Sequence, residues 1–285
     1  MNNIKSKSLA LAATEALEVQ ERGWYRLPGG KTVSIEKALR AACTGSKLYL
    51  PEDFENLWEP LEPTGGQTII TVENLSTLEA AQALRQRFRR VALLNFASAK
   101  NPGGGFLSGA RAQEESLARS SGLYFAIRSQ PEFYAFHREQ RSCLYTDRVI
   151  FSPDVPVFAD DDHRPVLEPW IVSMLTCAAV NVGALAKNSP QSLGWVREVM
   201  ARRVRMVLAV AAAHQIEALV LGAWGCGVFR CDPEMIAQLF ADALAEPKLA
   251  GRFTQITFAI MNPRSGPDKN IAAFERQFSA AGAGG

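Results

Sequence analysis

The sequence predicts an α/β protein built on a mixed or mostly parallel sheet, with a mostly helical N-terminal extension. Three observations lead there. From Gln67 onward, short β-branched or apolar runs alternate with segments of helical length, and strands separated by helices in this way form βαβ units. Two of those runs lead directly into glycine-rich loops, at Gly103-Gly104-Gly105 and at Gly225-Cys226-Gly227. Residues 1 to 60 lack the alternation and read as a separate, accessory layer.

Taken in order, Ser6 to Arg22 is a helical pattern. Gly23 to Ile35 reads as a hairpin turning at Pro28-Gly29-Gly30. Ser34 is placed to cap a helix running through Ala42, whose Lys37 and Arg40 suit an exposed face. Leu48 to Pro60 reads as irregular, broken by Pro51 and Pro60. Thr68 to Val72 is a β-branched strand. Ser76-Thr77-Leu78-Glu79 is a capping box opening a helix to about Phe88. Val91 to Leu94 is a buried strand by composition, and a helix follows over Arg111 to Ser121. Glu132 to Arg138 is a short helix. Arg148 to Phe151 and Val155 to Phe158 read as two strands parted by Ser152-Pro153-Asp154, with a further strand at Ile171 to Leu175. Leu193 to His214 is a long helix, and Ala218 to Leu221 a strand entering the second glycine loop. Pro233 opens a helix at a position that tolerates proline. Ile256 to Ile260 is the last strand and Asn270 to Phe278 the last helix. The expected division is residues 1–60 as an extension packed on the core, 61–280 as the main domain and 281–285 as a flexible tail.

Composition excludes several classes. At 47% apolar and 21% charged residues, the 285-residue chain is an ordinary globular one. A net charge of +2 is too small for a general nucleic-acid binder, so no specific nucleic-acid partner is expected. The most cationic run, Arg85 to Arg90, reads either as a solvated helix end or as a surface for a polyanion. Five cysteines, odd in number and without a CxxC, make neither a disulfide framework nor a zinc site. His137, His163 and His214 are scattered, and His214 reads as structural. No metal or cofactor is expected. The N-terminus carries no signal-peptide core and no run approaches membrane-spanning length, so a cytoplasmic, monomeric protein without a membrane partner is expected.

Chemistry concentrates between Val91 and Tyr124. Gly103-Gly104-Gly105 is followed closely by Gln113-Glu114-Glu115 at a helix start. Consecutive glycines let backbone N–H groups approach a ligand, and the paired acids stand beside that cradle. Anion-binding backbone next to carboxylates suggests chemistry on a sugar attached to a phosphate. Ligands in open α/β sheets gather at the carboxyl ends of strands, so both glycine loops are expected near one edge, as two cradles for a diphosphate flanked by sugars. Adjacent helical residues point about 100° apart, so Glu114 and Glu115 are expected to have different roles. The plain reading of both is as acids complementing a helix N-terminus.

Glycine triplet, spacer and Gln-Glu-Glu together resemble the signature of poly(ADP-ribose) glycohydrolases, and the surrounding sequence is similar to the bacterial type. The segment Gly222 to Glu234 (GAWGCGVFRCDPE), with Thr71 to Ala81 and Val149 to Phe158, carries the same likeness, which spans roughly Glu62 to the C-terminus. The resemblance implies a macrodomain-like three-layer α/β/α fold with a mixed central sheet. It implies hydrolysis of the ribose–ribose O-glycosidic bonds of poly(ADP-ribose), mainly from chain ends, releasing ADP-ribose. Poly(ADP-ribose), ADP-ribose and ADP-ribosylated proteins are the expected partners. Carried over, Glu115 is the general acid and base, Glu114 holds a ribose hydroxyl, and Gln113 braces the loop or the acid. Gly103, Gly104 and Gly105 approach ribose and diphosphate, and Phe106 lines the terminal-ribose pocket. Ser98 and Asn101 lie between strand and glycines; animal members of the family have Asn at the position of Ser98. Gly225, Cys226, Gly227, Val228 and Phe229 match the second diphosphate loop, with Cys226 a small residue and no nucleophile. Phe229 either stacks on adenine or ribose or is a core residue at the loop exit. Glu73 or Asn74 could read the adenine edge, and Asn74 is equally a turn or cap residue. Two other readings stay open: a non-catalytic ADP-ribose-binding macrodomain, and a mono-ADP-ribosyl hydrolase. A dinucleotide dehydrogenase is disfavoured, because no GxGxxG opens a helix with an acid roughly 20 residues on.

Overall fold

The computed structural model describes residues 2–262 and 267–279; the tail expected at 281–285 lies outside them. α1 (Asn2–Arg22) leads into the hairpin β1 (Trp24–Arg26) and β2 (Thr32–Ser34), which turns at Pro28-Gly29-Gly30. α2 (Glu36–Gly45) is capped at Ile35 without a side-chain bond; Ser34, expected to cap it, accepts from the Glu36 N–H at 3.4 Å one residue earlier. The stretch read as irregular holds β3 (Lys47–Tyr49), a 3-10 turn (Pro51–Asp53) and the short α3 (Phe54–Trp58). These pieces are too short for periodicity to show in sequence.

β4 (Ile69–Glu73) precedes α4 (Thr77–Arg85), whose Ser76–Glu79 capping box is fully formed. α4 stops before Phe88, and Arg85, its last residue, donates to the Phe88 carbonyl at 3.2 Å across that end. β5 (Val91–Phe96) feeds the glycine triplet, a 3-10 turn (Phe106–Ser108) and α5 (Gln113–Ser120). α6 (Leu123–Arg128) and α7 (Pro131–Glu139) follow. The two strands expected around Ser152-Pro153-Asp154 are one, β6 (Val149–Ala159), with a register shift between Ser152 and Val155. Pro153 has no N–H for a ladder, and Asp154 takes φ 46°, so the strand bulges there and continues. β7 (Pro165–Cys177) outruns the apolar stretch that marked it. Then come α8 (Val182–Asn188), a 3-10 segment (Pro190–Trp195), α9 (Val196–Ala213), β8 (Ala218–Leu221), α10 (Pro233–Leu244), β9 (Gln255–Ala259) and α11 (Lys269–Ser279).

Seven strands hydrogen-bond in the order β3-β6-β7-β5-β8-β9-β4. β5, β8, β9 and β4 pair in parallel while β6 and β7 are antiparallel, so the sheet is mixed, flanked by helices. The residues fall into two compact units. The first comprises Met1–Leu48, Asn95–Glu139 and Ile150–Thr176; the second Tyr49–Leu94, Gln140–Val149 and Cys177–Gly285. In the first, α1 and the hairpin bury Ala16, Val19, Tyr25, Leu27 and Ile35 against Phe158 and Ala159. In the second, Trp224, Phe240, Phe258, Phe274 and Phe278 form a chain of ring contacts, the tightest being Phe258 on Phe278 at 4.5 Å between centroids. Each fully buried aromatic contributes roughly 1.5–3 kcal/mol by leaving water.

Candidate active site

Within the first unit, the end of β5 (Asn95 and Phe96), the glycine triplet and the first turn of α5 bring Ser98, Asn101, Gly103, Gly104, Gly105, Phe106, Gln113, Glu114 and Glu115 together. α5 has no side-chain N-cap; its first turn is held from outside instead. Gln113 Oε1 accepts from the Phe96 N–H at 2.9 Å and ties the helix start to the end of β5. Glu114 is 2% exposed. Its Oε2 accepts from the Ser98 N–H at 2.6 Å and its Oε1 from the Asn95 amide at 3.4 Å. Burial pushes the Glu114 carboxyl up to about 8, the Glu115 charge adds to the rise, and the Ser98 and Asn95 bonds oppose it. Glu114 is therefore protonated near neutral pH. The Tyr134 hydroxyl is also buried, and burial with the Glu114 charge holds it well above the usual phenol range.

Glu115 points elsewhere, as the helical turn requires. Its Oε1 accepts from the Gly105 N–H at 3.0 Å, while Oε2 is buried without a hydrogen-bond partner. Gly104 adopts φ 59°, and a Cβ there would collide with Glu115 Oε1 and stand 3.1 Å from Glu114 Oε2. The two carboxyl groups thus converge on one glycine. Of the triplet, Gly104 donates to the Asn101 carbonyl and Gly105 to Glu115, so part of the cradle serves the acids themselves. Ser98 Oγ accepts from the Asn101 N–H and shapes the turn between them. Phe106, 1% exposed, packs on Tyr124 at 4.7 Å and, with Ala118, against Ala13 of α1.

Three participants escaped sequence reasoning. Asn95, the one polar side chain in β5, is fully buried between Glu114 and Thr176 Oγ1; an Asn inside an apolar strand is a signal that could have marked it. Arg119, 3% exposed, donates from Nη1 to the Ala110 carbonyl and from Nε to His163 Nε2. Burial lowers its pKa and the Glu115 charge opposes that. Neither it nor His163 bears a local sequence mark.

The second glycine segment lies in the second unit. Gly225 takes φ 78°, and a Cβ there would stand 2.7 Å from Ala179 and 2.8 Å from Cys231 Sγ. Among the described residues the N–H groups of Gly227, Val228 and Phe229 donate to nothing, and Val228 is 79% exposed. Three successive open N–H groups are the makings of an anion nest. Cys226 is buried and its thiol is raised by burial, next to Cys231. The Phe229 carbonyl accepts from the Gly183 N–H, and its half-buried ring lies 6.2 Å from Tyr145. Asn74 Oδ1 accepts from the Asn262 N–H at 2.8 Å. His214 bonds Tyr49 at 2.8 Å. Among the described residues, no group of three or more His, Cys, Asp or Glu could hold a metal ion, and no helix is long and apolar enough to cross a membrane.

Residues 13–160 match the family described as microbial-type PARG, catalytic domain. The chain is 45% identical to the poly(ADP-ribose) glycohydrolase of Thermomonospora curvata over 95% of this chain and 100% of that one, with a TM-score of 0.90. The crystal structure of the T. curvata enzyme bound to the inhibitor ADP-HPD matches at 44% identity over the same shares, with a TM-score of 0.89. The Deinococcus radiodurans enzyme in complex with ADP-ribose matches at 42% identity over 90% of this chain and 99% of that one, with a TM-score of 0.81. No curated protein matches.

Proposed function

The chain belongs to the microbial-type poly(ADP-ribose) glycohydrolases, and on that premise we propose that it releases ADP-ribose from the ends of poly(ADP-ribose) with Glu115 as general acid and base. The observation that carries this reading is the asymmetry of the Glu115 carboxyl: Oε1 is fixed by the Gly105 N–H and Oε2 has no partner. One oxygen oriented and one uncommitted is what a group needs to pass a proton to a substrate oxygen.

In the first step Glu115 gives its proton to the leaving ribose hydroxyl as the bond from the anomeric carbon to that oxygen breaks. The sugar gains oxocarbenium character, which the substrate's own diphosphate stabilises. Glu115, now a carboxylate, takes a proton from water while the water oxygen bonds to the anomeric carbon, and the acid is restored. Glu114, neutral near pH 7, can both donate to and accept from a ribose hydroxyl without placing a second negative charge beside Glu115. Within the second unit, the open N–H groups of Gly227, Val228 and Phe229 suit an anion such as a phosphate group. Relatives bind ADP-ribose and ADP-HPD, which supports ADP-ribose as the recognised unit here. ADP-ribosylated proteins are the proposed source of polymer, a monomer acting in the cytoplasm the proposed setting, and residues 1–60 a proposed extension of a catalytic domain spanning 61–280.

Digestion of purified poly(ADP-ribose) by wild type and Glu115→Gln, with products resolved by chromatography, tests the proposal. Free ADP-ribose throughout, and a loss of about a thousandfold or more in the variant, is the expected result. Early long oligomers would overturn action from chain ends. Binding of ADP-ribose without turnover would leave a reader or a mono-ADP-ribosyl hydrolase.

A further inference from the structure

The loop after the glycine triplet is fastened to α5 at two points. At one, Glu115 Oε1 accepts from the Gly105 N–H at 3.0 Å. The Gly105 carbonyl in turn accepts from the Ala110 N–H at 3.2 Å, and the Ala110 carbonyl from Arg119 Nη1 at 2.9 Å. Glu115 and Arg119 are one helical turn apart on the same face. The circuit therefore closes: acid, loop backbone, guanidinium and back along the helix.

Arg119 is an unusual cation. It is 3% exposed, and among the described residues no carboxylate lies within ion-pair distance. Its second partner is neutral: Nε donates to His163 Nε2 at 3.1 Å. That bond needs His163 to carry its proton on Nδ1, which faces Ser120 Oγ at 3.4 Å, while Ser120 Oγ donates to the Asp160 carbonyl at 2.9 Å. His163 holds this place with φ 64°, a left-handed conformation in which His, like Asn and Asp, is enriched among non-glycine residues, on the turn between β6 and β7. Burying a charge is costly, and the Glu115 charge, beyond ion-pair distance, opposes that only in part. A helix whose only task was to pack would carry an apolar residue there.

We propose that Arg119 is a positioning residue for the glycohydrolase reaction: held by His163, it latches the Gly105–Ala110 loop to α5 so that the Gly105 N–H fixes Glu115 for proton transfer. The latch rests on Glu115 being the acid. Arg119 is buried and its bonds go to His163 and the Ala110 carbonyl, so the latch acts on the chemical step and not on binding. A relaxed loop lets Glu115 drift, and a misplacement of about 1 Å costs roughly a hundredfold in rate.

The test is steady-state digestion of poly(ADP-ribose) with ADP-ribose binding by calorimetry, on Arg119→Met, Arg119→Lys, His163→Leu and His163→Gln, with Glu115→Gln alongside. Arg119→Met, similar in bulk and without donors, is expected to lower kcat about tenfold to a hundredfold, with KM and ADP-ribose affinity within about threefold of wild type. His163→Leu removes the acceptor and is expected to lower kcat in the same sense. Arg119→Lys and His163→Gln, which keep a donor and an acceptor, are expected to recover most of the loss. Unchanged kcat in folded Arg119→Met, or equal losses of kcat and affinity, overturns the latch. If Arg119→Met does not fold, unchanged kcat in His163→Leu overturns it alone. The two failures are distinct: a fully active Glu115→Gln sinks the acid assignment, whereas an inactive Glu115→Gln beside a fully active Arg119→Met sinks only the latch.

Discussion

Gly104 lacks a side chain because the Glu115 carboxyl fills the space one would occupy. The triplet looks from sequence like a platform for ligand alone; one of its glycines is required from inside the protein, by the acid. Gly104→Ala would have to displace Glu115 and also hold an alanine at φ 59°. It is expected to lose turnover by about a hundredfold and to cost roughly 1–3 kcal/mol in stability. Denaturant unfolding with steady-state kinetics checks both, and wild-type kcat would sink the relationship.

Glu114 should set an alkaline limb. Its carboxyl, raised to about 8 mainly by burial, stays neutral at pH 7 and ionises above pH 8, placing charge beside Glu115. Turnover is expected to fall above pH 8 in wild type. In stability the sign is that of a raised acid. Between its unfolded value, 4.5, and about 8, the folded state binds more protons than the unfolded one, so stability declines as pH rises through that window. Glu114→Gln removes the titration. Its Tm relative to wild type should be higher at pH 9 than at pH 5, by about several degrees. Parallel Tm curves for the two proteins would contradict this.

The cysteines should be inert where they matter. Burial raises Cys177 and Cys231 to about 12 and raises Cys226 further, so none is a thiolate at neutral pH. Iodoacetamide at pH 8, followed by peptide mass mapping, should leave these three unmodified in the native protein and turnover intact. Loss of activity with label at Cys226 would reopen its reading as a mere spacer.

Arg203 illustrates a different buried cation, one with its counter-charge. It is fully buried, and its Nε bonds Asp147 at 3.1 Å while its other nitrogens hold the Ala178 and Leu144 carbonyls at 2.9 Å. Asp147→Ala strands that charge and is expected to cost about 3–5 kcal/mol in urea unfolding. A change below about 1 kcal/mol would mean the carbonyls suffice without the acid.

What sequence made legible was local. The Ser76–Glu79 box and the Pro28-Gly29-Gly30 turn each lie within a few consecutive residues and the strand–glycine–acid order within the 25 from Val91 to Glu115, where capping, turn and backbone rules operate. The bulge at Pro153 was misread because proline signals a break, and only the partner strand reveals that pairing resumes. Asn95, Arg119 and His163 joined the site through contacts across 19 to 44 positions, for which a single sequence has no period or spacing to offer.

Ala13 lies in α1 with no exposed surface, its methyl group against Phe106 and Ala118. The first helix therefore inherits the tolerances of a reaction centre. A bulkier residue at position 13 would press on the cradle from behind and reach turnover without meeting a single substrate atom. Natural drift in a stretch that looks dispensable is constrained by chemistry about a hundred positions downstream, and an N-terminus trimmed for convenience would take part of the cradle's back wall with it.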